Sequence, residues 1–446
     1  MQKKIVGILM SVCMAASMLA GCGSSQDGSQ GSSESQSEAS VEDVQDGEVT
    51  GTITVLTNRT DLVDTKFADY AKQFEEKYPG TEVKFEAITD YEGDVAIRLQ
   101  TEEYGDVLSI PNSMANVDFP NYFEPLGTVE ELKDKYKEQF LFAKYYDGKV
   151  YGLASTINAQ GIVYNKRIWA EAGIDKLPAT PEEFLDDLSI IKEKTDAIPY
   201  YTNAAAGWPL TQWQDHCWGS VTGDADYHNN IIPREENPFS QGKSCYVVHK
   251  VLYDVISNKL CEEDPITSDW ESSKVMINNG QIATMTLGSW AIQQCMDAGE
   301  NADDIGYMPF PYNIDGKQYA TAGADYCFAV NSHSKNKAAA RAWIDFMIDE
   351  SGFALSEGGI SLLNDSEMPA TLKDFENITL VADNPATEEN EGLFDMINND
   401  SEIALYADPE KMRIVEAALG TSSESFDDIM NDWNVRWSEA QKEDIE

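Results

Sequence analysis

The sequence predicts an α/β fold built on a mostly parallel sheet. Three observations carry that expectation: an apolar strand near position 55, apolar residues spaced three to four apart after it, and strict alternation near position 85. Taken in order, Ile53-Thr54-Val55-Leu56 reads as a strand entering at Thr52. Phe67, Tyr70, Ala71, Phe74 and Tyr78 then mark one face of a helix, which Asp61 or Asp64 would cap and Pro79-Gly80 stops. Val83, Phe85 and Ala87 alternate with Glu82, Lys84 and Glu86 as a second strand. A second helical pattern covers 91–103 with Val95, Ile97 and Leu99, and Asp106-Val107-Leu108-Ser109-Ile110 is a short buried strand. The order β-α-β-α-β calls for a parallel sheet covered by helices.

Ligands of such sheets bind beyond the C-terminal ends of the strands. Two loops leave that edge, 57–61 and Pro111-Asn112-Ser113. Asn58, Arg59, Asp61 and Asn112 are therefore candidate ligand-binding residues, with turn and cap roles as the alternative. Further along, Thr180-Pro181 starts a helix over 182–194. Residues 336–348 form another, with Ala339, Ala342, Trp343, Phe346 and Met347 on one side. At the C-terminus, Phe426, Ile429, Met430, Trp433, Trp437 and Ala440 make an apolar stripe whose tryptophans read as core.

The N-terminus sets the compartment. Lys3-Lys4 precede an apolar run of about fifteen residues, the length of a secretory h-region and too short for a membrane span. Leu19-Ala20-Gly21-Cys22 ends it and resembles the bacterial lipobox, so 1–21 is expected to be a signal peptide and Cys22 the lipidated mature N-terminus. Residues 22–49, rich in Ser, Gln, Gly and acids, are expected to be a disordered linker. The formal net charge of −46 repels nucleic acid and anionic headgroups, so no nucleic-acid partner is expected. Five cysteines remain after Cys13 and Cys22. Cys217, Cys245, Cys261, Cys295 and Cys327 are widely spaced and give no disulfide framework.

Enzyme motifs are sparse. Gly242-Lys243-Ser244 resembles the tail of a P-loop, but Asn237 stands where its first glycine belongs. No GxSxG or HExxH occurs, and four scattered histidines offer no metal-ligand spacing, so no catalytic residue, metal or cofactor is expected. Carboxylates are too abundant for any pair to single out a glycosidase. The unusual stretch is aromatic: Tyr200, Tyr201, Trp208, Trp213 and Trp218 are interleaved with Asn203, Gln212, Gln214, Asp215 and His216. Three tryptophans five apart fit neither a helix face nor a strand face. Rings beside amides and carboxylates suit sugars, which have apolar faces and hydroxyl edges. Trp208, Trp213 and Asp215 are candidates on that ground, against a loop-rich packing layer.

Several segments resemble the carbohydrate-binding solute-binding proteins of ABC importers, the family of maltose-binding protein. They are Asp147-Gly148-Lys149-Val150-Tyr151-Gly152-Leu153, then Gly161-Ile162-Val163-Tyr164-Asn165-Lys166 with Trp169 and Ala172-Gly173-Ile174, and Pro178-Ala179-Thr180-Pro181-Glu182-Glu183-Phe184. Asn279-Gly280-Gln281-Ile282-Ala283-Thr284-Met285 with Gly288-Ser289-Trp290, and the helix at 335–347, complete the run. Ala154, Gly105 and Ile360 depart from the family's usual prolines. The resemblance implies a two-lobe periplasmic-binding-protein-like fold of type II, each lobe a mostly parallel sheet flanked by helices. It implies three hinge crossings, near Ser155, Asp325 and Gly359. Lobe one would be 50–155 plus 326–358, and lobe two 156–325 plus 359–446. Trp290 stands where the family places a sugar-stacking aromatic, and Asp325 and Tyr326 stand at the second crossing. The expected function is capture of a sugar, an oligosaccharide first of all, by a monomeric lipid-anchored protein on the extracytoplasmic face of the cell membrane. Its partners are then the ligand, the ABC permease subunits and the membrane. A surface glycosidase and a binder of another solute, such as a polyamine, remain the alternatives.

Overall fold

The computed structural model describes residues 48–112 and 114–445. The signal-like segment, Cys22, nearly all of the linker and Ser113 lie outside them. Twelve strands occur among the described residues: β1 (Gly51–Thr57), β2 (Thr81–Ala87), β3 (Val107–Ser109), β4 (Tyr145–Tyr146), β5 (Lys149–Val150), β6 (Leu153–Ala154), β7 (Ile157–Asn165), β8 (Thr284–Gly288), β9 (Ile305–Met308), β10 (Tyr319–Ala324), β11 (Cys327–Val330) and β12 (Thr379–Val381). Apart from the β4–β5 hairpin they form two sheets, one per lobe. The first has the order β2-β1-β3-β11-β6; the second has β12-β10-β7-β8, with β9 also paired to β7.

The expectation of mostly parallel sheets needs a correction at the level of neighbouring pairs. In the first sheet β1 is parallel to β2 and to β3, whereas β11 opposes both β3 and β6. In the second sheet only β10 and β12 pair in parallel; β7 opposes β8, β9 and β10. The cause is the crossing of the chain between lobes. β7 leaves the hinge outward and takes the centre of the second sheet, and β11 does the same between β3 and β6. Every other strand of the two sheets runs toward the hinge. Strand direction is therefore mostly parallel in both lobes, and the C-terminal strand ends of both face one another.

Helices cover both sheets where the apolar spacing placed them, with shifted ends. The first is Lys66–Lys77, preceded by Thr65 with no side-chain cap; neither Asp61 nor Asp64 serves, because Asp61 is engaged with Arg59. The second is shorter than the pattern suggested, Tyr91–Arg98. Pro181–Lys194 starts as expected, with Thr180 Oγ1 accepting from the Glu183 N–H at 3.2 Å. Lys337–Asp349 buries Trp343, whose ring meets Phe74 edge-on at 5.3 Å, so this helix packs on the Lys66–Lys77 helix. Phe426–Ile445 buries the whole C-terminal stripe in the core of lobe two.

The five-residue spacing of tryptophans has a structural explanation. Trp208–Asp215 is α-helical, but the chain widens into a π-helical turn at His216–Ser220. The backbone kinks within that turn at Trp218 (φ −91°, ψ −121°), so no single helical face runs through the stretch. Trp213 and Trp218 are both 1% exposed in the core of lobe two, and Trp213 lies against Tyr200 and Phe310. Trp213 and Trp218 are thus core residues on a kinked helical segment, contrary to the expectation, and of the three tryptophans only Trp208 reaches the surface. Cys217, Cys245, Cys261, Cys295 and Cys327 are all unpaired thiols.

A cleft between the lobes as the candidate binding site

Three passages of chain between the lobes lie side by side. β6 leads through Ser155-Thr156 into β7, and β10 leads through Asp325-Tyr326 into β11. These two are tied by Ser155 N–H to Tyr326 O (3.0 Å) and Asp325 N–H to Thr156 O (2.9 Å). On the other side Ile157 and Ile360 exchange both backbone hydrogen bonds, at 2.8 and 3.0 Å. Gly359 is needed for that approach, since a Cβ there would sit 2.0 Å from Thr156 Oγ1. The third passage is drawn out: Leu363 still pairs with Tyr136 of lobe one before Phe375 stacks on Tyr307 of lobe two.

Above these strands lies a cleft of about 630 Å³, lined from both lobes. That volume falls within the ~300–1,000 Å³ usual for small-molecule sites. Of the residues nominated from sequence, the structure brings Asn58, Arg59, Asp61, Asn112, Trp290, Asp325 and Tyr326 together there. Trp208 stands just outside, its ring 5.7 Å from Trp290. Trp213 is not brought to the cleft, because its face of the Trp208–Asp215 helix packs on Tyr200 and Phe310 in the core. Asp215 is half-buried and is not among the cleft-lining residues; it belongs to a polar cluster with His228 and Asp383. Loss of water pushes its carboxyl up to about 7, with the Asp383 charge adding to the rise.

Lobe one presents fixed, mutually paired charges. Arg59 grips Asp61 through two bonds, Nε–Oδ1 at 3.0 Å and Nη2–Oδ2 at 2.7 Å, and reaches Glu357 at 2.7 Å. Lys66 holds the other Glu357 oxygen at 2.6 Å. The Arg59 hydrogen bond holds the Asp61 carboxyl below the usual carboxylate range. Glu92 Oε1 accepts from the Asn112 N–H (3.1 Å) and the Tyr326 hydroxyl (2.8 Å), joining a cleft loop to the second passage. Asp325 accepts from Asn158 Nδ2 at 3.0 Å and from the Tyr326 N–H at 2.7 Å.

Lobe two presents an indole and amides. Trp290 starts the helix after β8, held between Trp208 and Trp270, the latter 5.9 Å away. Beside it stand Asn158 and Gln160 from β7, Gln212, and Gln293-Gln294. The sequence reading did not nominate these amides. Asn158 and Gln160 carried a signal: they alternate with buried Ile157 and Ala159 at strand period, so both face the cleft. Trp270 and Glu357 were also missed, and no local pattern marks them. Among the described residues no cluster of His, Cys, Asp or Glu could hold a metal ion.

Two lobes facing one another across a cleft, joined by hydrogen-bonded hinge passages, define a solute-binding protein. The chain matches the bacterial extracellular solute-binding proteins over residues 60–352 and belongs to that family. The multiple sugar-binding protein of Streptococcus mutans is 25% identical over 359 residues, 77% of this chain and 78% of its own length. The diacetylchitobiose-binding protein of Streptomyces coelicolor is 33% identical over 233 residues, about half of each chain. Among solved structures, a manno-oligosaccharide-specific solute-binding protein of Bifidobacterium animalis subsp. lactis, in complex with mannotriose, has a TM-score of 0.81 at 38% identity, covering 91% of this chain and 96% of its own. A second binding protein from that organism, in complex with mannobiose, gives 0.81 at 40% identity over 89% and 95%. The family is one of extracellular binding proteins, which puts this chain's work outside the cytoplasm.

Proposed function

We propose that this protein captures a neutral oligosaccharide, in the first instance a manno-oligosaccharide, in the interlobe cleft and passes it unchanged to an ABC permease. The observation that carries this is the chemistry of the cleft: one indole face with amides around it opposite charges already paired. Amides donate and accept at once, as sugar hydroxyls do, and the indole takes the apolar face of a pyranose. A polyamine would need carboxylates without counter-cations, and Asp61 and Glu357 on the lobe-one wall already face Arg59 and Lys66. Asp325 and Asp297 accept from the neutral amides of Asn158 and Gln293, at 3.0 and 2.8 Å. A glycosidase would need a carboxyl held protonated, the opposite of what Arg59 does to Asp61. The sugars bound by the two Bifidobacterium proteins support the mannoside class.

The same reading gives the anchor and the moving parts. Cys22 carries lipid, 22–49 is the tether, and a monomeric body works at the outer face of the cell membrane. Residues 50–155 with 326–358 move against 156–325 with 359–446, the first stretch of 359–446 staying on lobe one through the Tyr136–Leu363 pairing. Calorimetric titration with mannobiose, mannotriose and spermidine tests the proposal, with chromatography of the recovered ligand. Saccharide binding with unchanged ligand is expected; spermidine binding, or cleaved saccharide, overturns it.

A further inference from the structure

Among the lobe-two amides, most are already spent. Asn158 donates to Asp325 and accepts from Ser289, Gln212 Oε1 accepts from the Gly288 N–H at 3.2 Å, and Gln293 donates to Asp297. Gln160 differs. Its Oε1 is shut off from solvent and has no hydrogen-bond partner among the described residues, although its side chain lines the cleft. Gln160 pairs in register with Gly288. A Cβ on Gly288 would lie 2.6 Å from Trp290 Nε1 and 3.3 Å from Gln160 Oε1. The bare glycine thus lets the indole edge and the amide meet over one spot, each with hydrogen-bonding capacity left over. A buried polar atom without a partner calls for a reason, and a ligand group supplies one.

We propose that Gln160 is a specificity-determining residue of the cleft, whose amide reads one hydroxyl of the sugar ring packed on Trp290. This rests on the saccharide assignment above. A ring lying on the indole presents its hydroxyls at the rim of that indole, where Gln160 stands. The amide oxygen, turned inward, is the end that can accept from the Trp290 N–H, which leaves the amide N–H₂ to donate to that hydroxyl. β7 pairs with β8 at this position and with β10 at the preceding Ala159, so the amide is offered from a rigid base. Sites that hydrogen-bond a hydroxyl reject analogues lacking it, because the protein group is then left unpaired.

The test is calorimetric titration of wild type, Gln160→Met and Gln160→Glu with mannotriose and its monodeoxy analogues. Met keeps the length and removes both hydrogen bonds; Glu keeps the outline and removes the donor, so it carries the test where Met fails to fold. Both variants are expected to bind mannotriose about tenfold more weakly. One monodeoxy analogue should bind wild type as weakly as it binds Gln160→Met, which identifies the hydroxyl read. Equal mannotriose affinity in a folded variant overturns the proposal, as does a wild-type-to-variant ratio that is the same for every analogue. Failure of wild type to bind any saccharide overturns the saccharide assignment itself, and the role of Gln160 with it.

Discussion

Arg59 Nη1 and Glu357 Oε2 stand 2.7 Å apart, which ties the loop after β1 to the residue just before the Gly358-Gly359 passage. Lys66 shares Glu357 and also donates to the Ser356 carbonyl at 3.2 Å. One carboxylate therefore fixes two cationic side chains on the wall of the cleft and the start of a hinge passage at once.

Removing that carboxylate has a predictable cost. Glu357→Gln leaves Arg59 and Lys66 with one counter-charge fewer, and the half-exposed pairs are worth about 1 kcal/mol together. Denaturant melts should show a loss of that order. Affinity for mannotriose should fall several-fold and become salt-dependent, because anions then compete for the freed cations. Salt-independent wild-type affinity would show that Glu357 does not shape the site.

Trp290→Ala should weaken sugar binding about thirtyfold, the ~2 kcal/mol typical of a central aromatic anchor. The helix that starts at Trp290 buries Ala291, Ile292 and Cys295 independently of the indole, so the ligand-free melting temperature should change little. An unchanged dissociation constant would assign Trp290 to packing against Trp208 and Trp270 alone.

Asp215 gives a pH signature. Its folded-state carboxyl titrates near 7, well above an ordinary aspartate, so between those values the folded state holds a proton that the unfolded state has lost. Stability from this group falls as pH rises from about 4 to 7 and is flat above. Asp215→Asn removes the penalty and should stabilise the protein by about 2 kcal/mol at pH 8, with the gain shrinking toward pH 4. Thermal melts across that range check it; a pH-independent gain would sink the assignment.

Ligand closure should be visible in solution. Arg59 and Asn112 lie on one side of the cleft and Trp290 and Gln212 on the other, so a bridging sugar favours the closed form by its differential contacts. Small-angle scattering with saturating mannotriose should give a smaller radius of gyration than without it. Identical curves for a ligand shown to bind would argue for a rigid site.

Cys22→Ala should move the protein from the membrane pellet to the soluble fraction, because the remaining chain offers no other acylation signal of that kind. Retention through salt washing would mean that a different contact holds it.

The fold was legible wherever burial has a period. Phe67, Tyr70 and Phe74 marked one helix and Ala339, Ala342 and Trp343 another, because each buries a stripe that repeats at helical spacing. Strand polarity within the second sheet was not legible, since it depends on where β7 inserts, and insertion leaves no local mark. Trp213 and Trp218 misled for the same reason in reverse. Their five-residue spacing spans a backbone kink at Trp218, which neither common period describes. At the site, the loop residues of lobe one could be found because β-α-β order fixes the functional edge. Glu357 could not, because it reaches Arg59 only through the hinge.

The insertion of β11 between β3 and β6 also bears on the order in which lobe one can assemble. β3 and β6 are both synthesised long before Cys327–Val330, and neither pairs directly with the other. Until that segment exists, the first sheet has a gap in its middle and its later strand has nothing to bond to. A chain in this condition cannot complete lobe one, so that lobe assembles only once Cys327–Val330 is available.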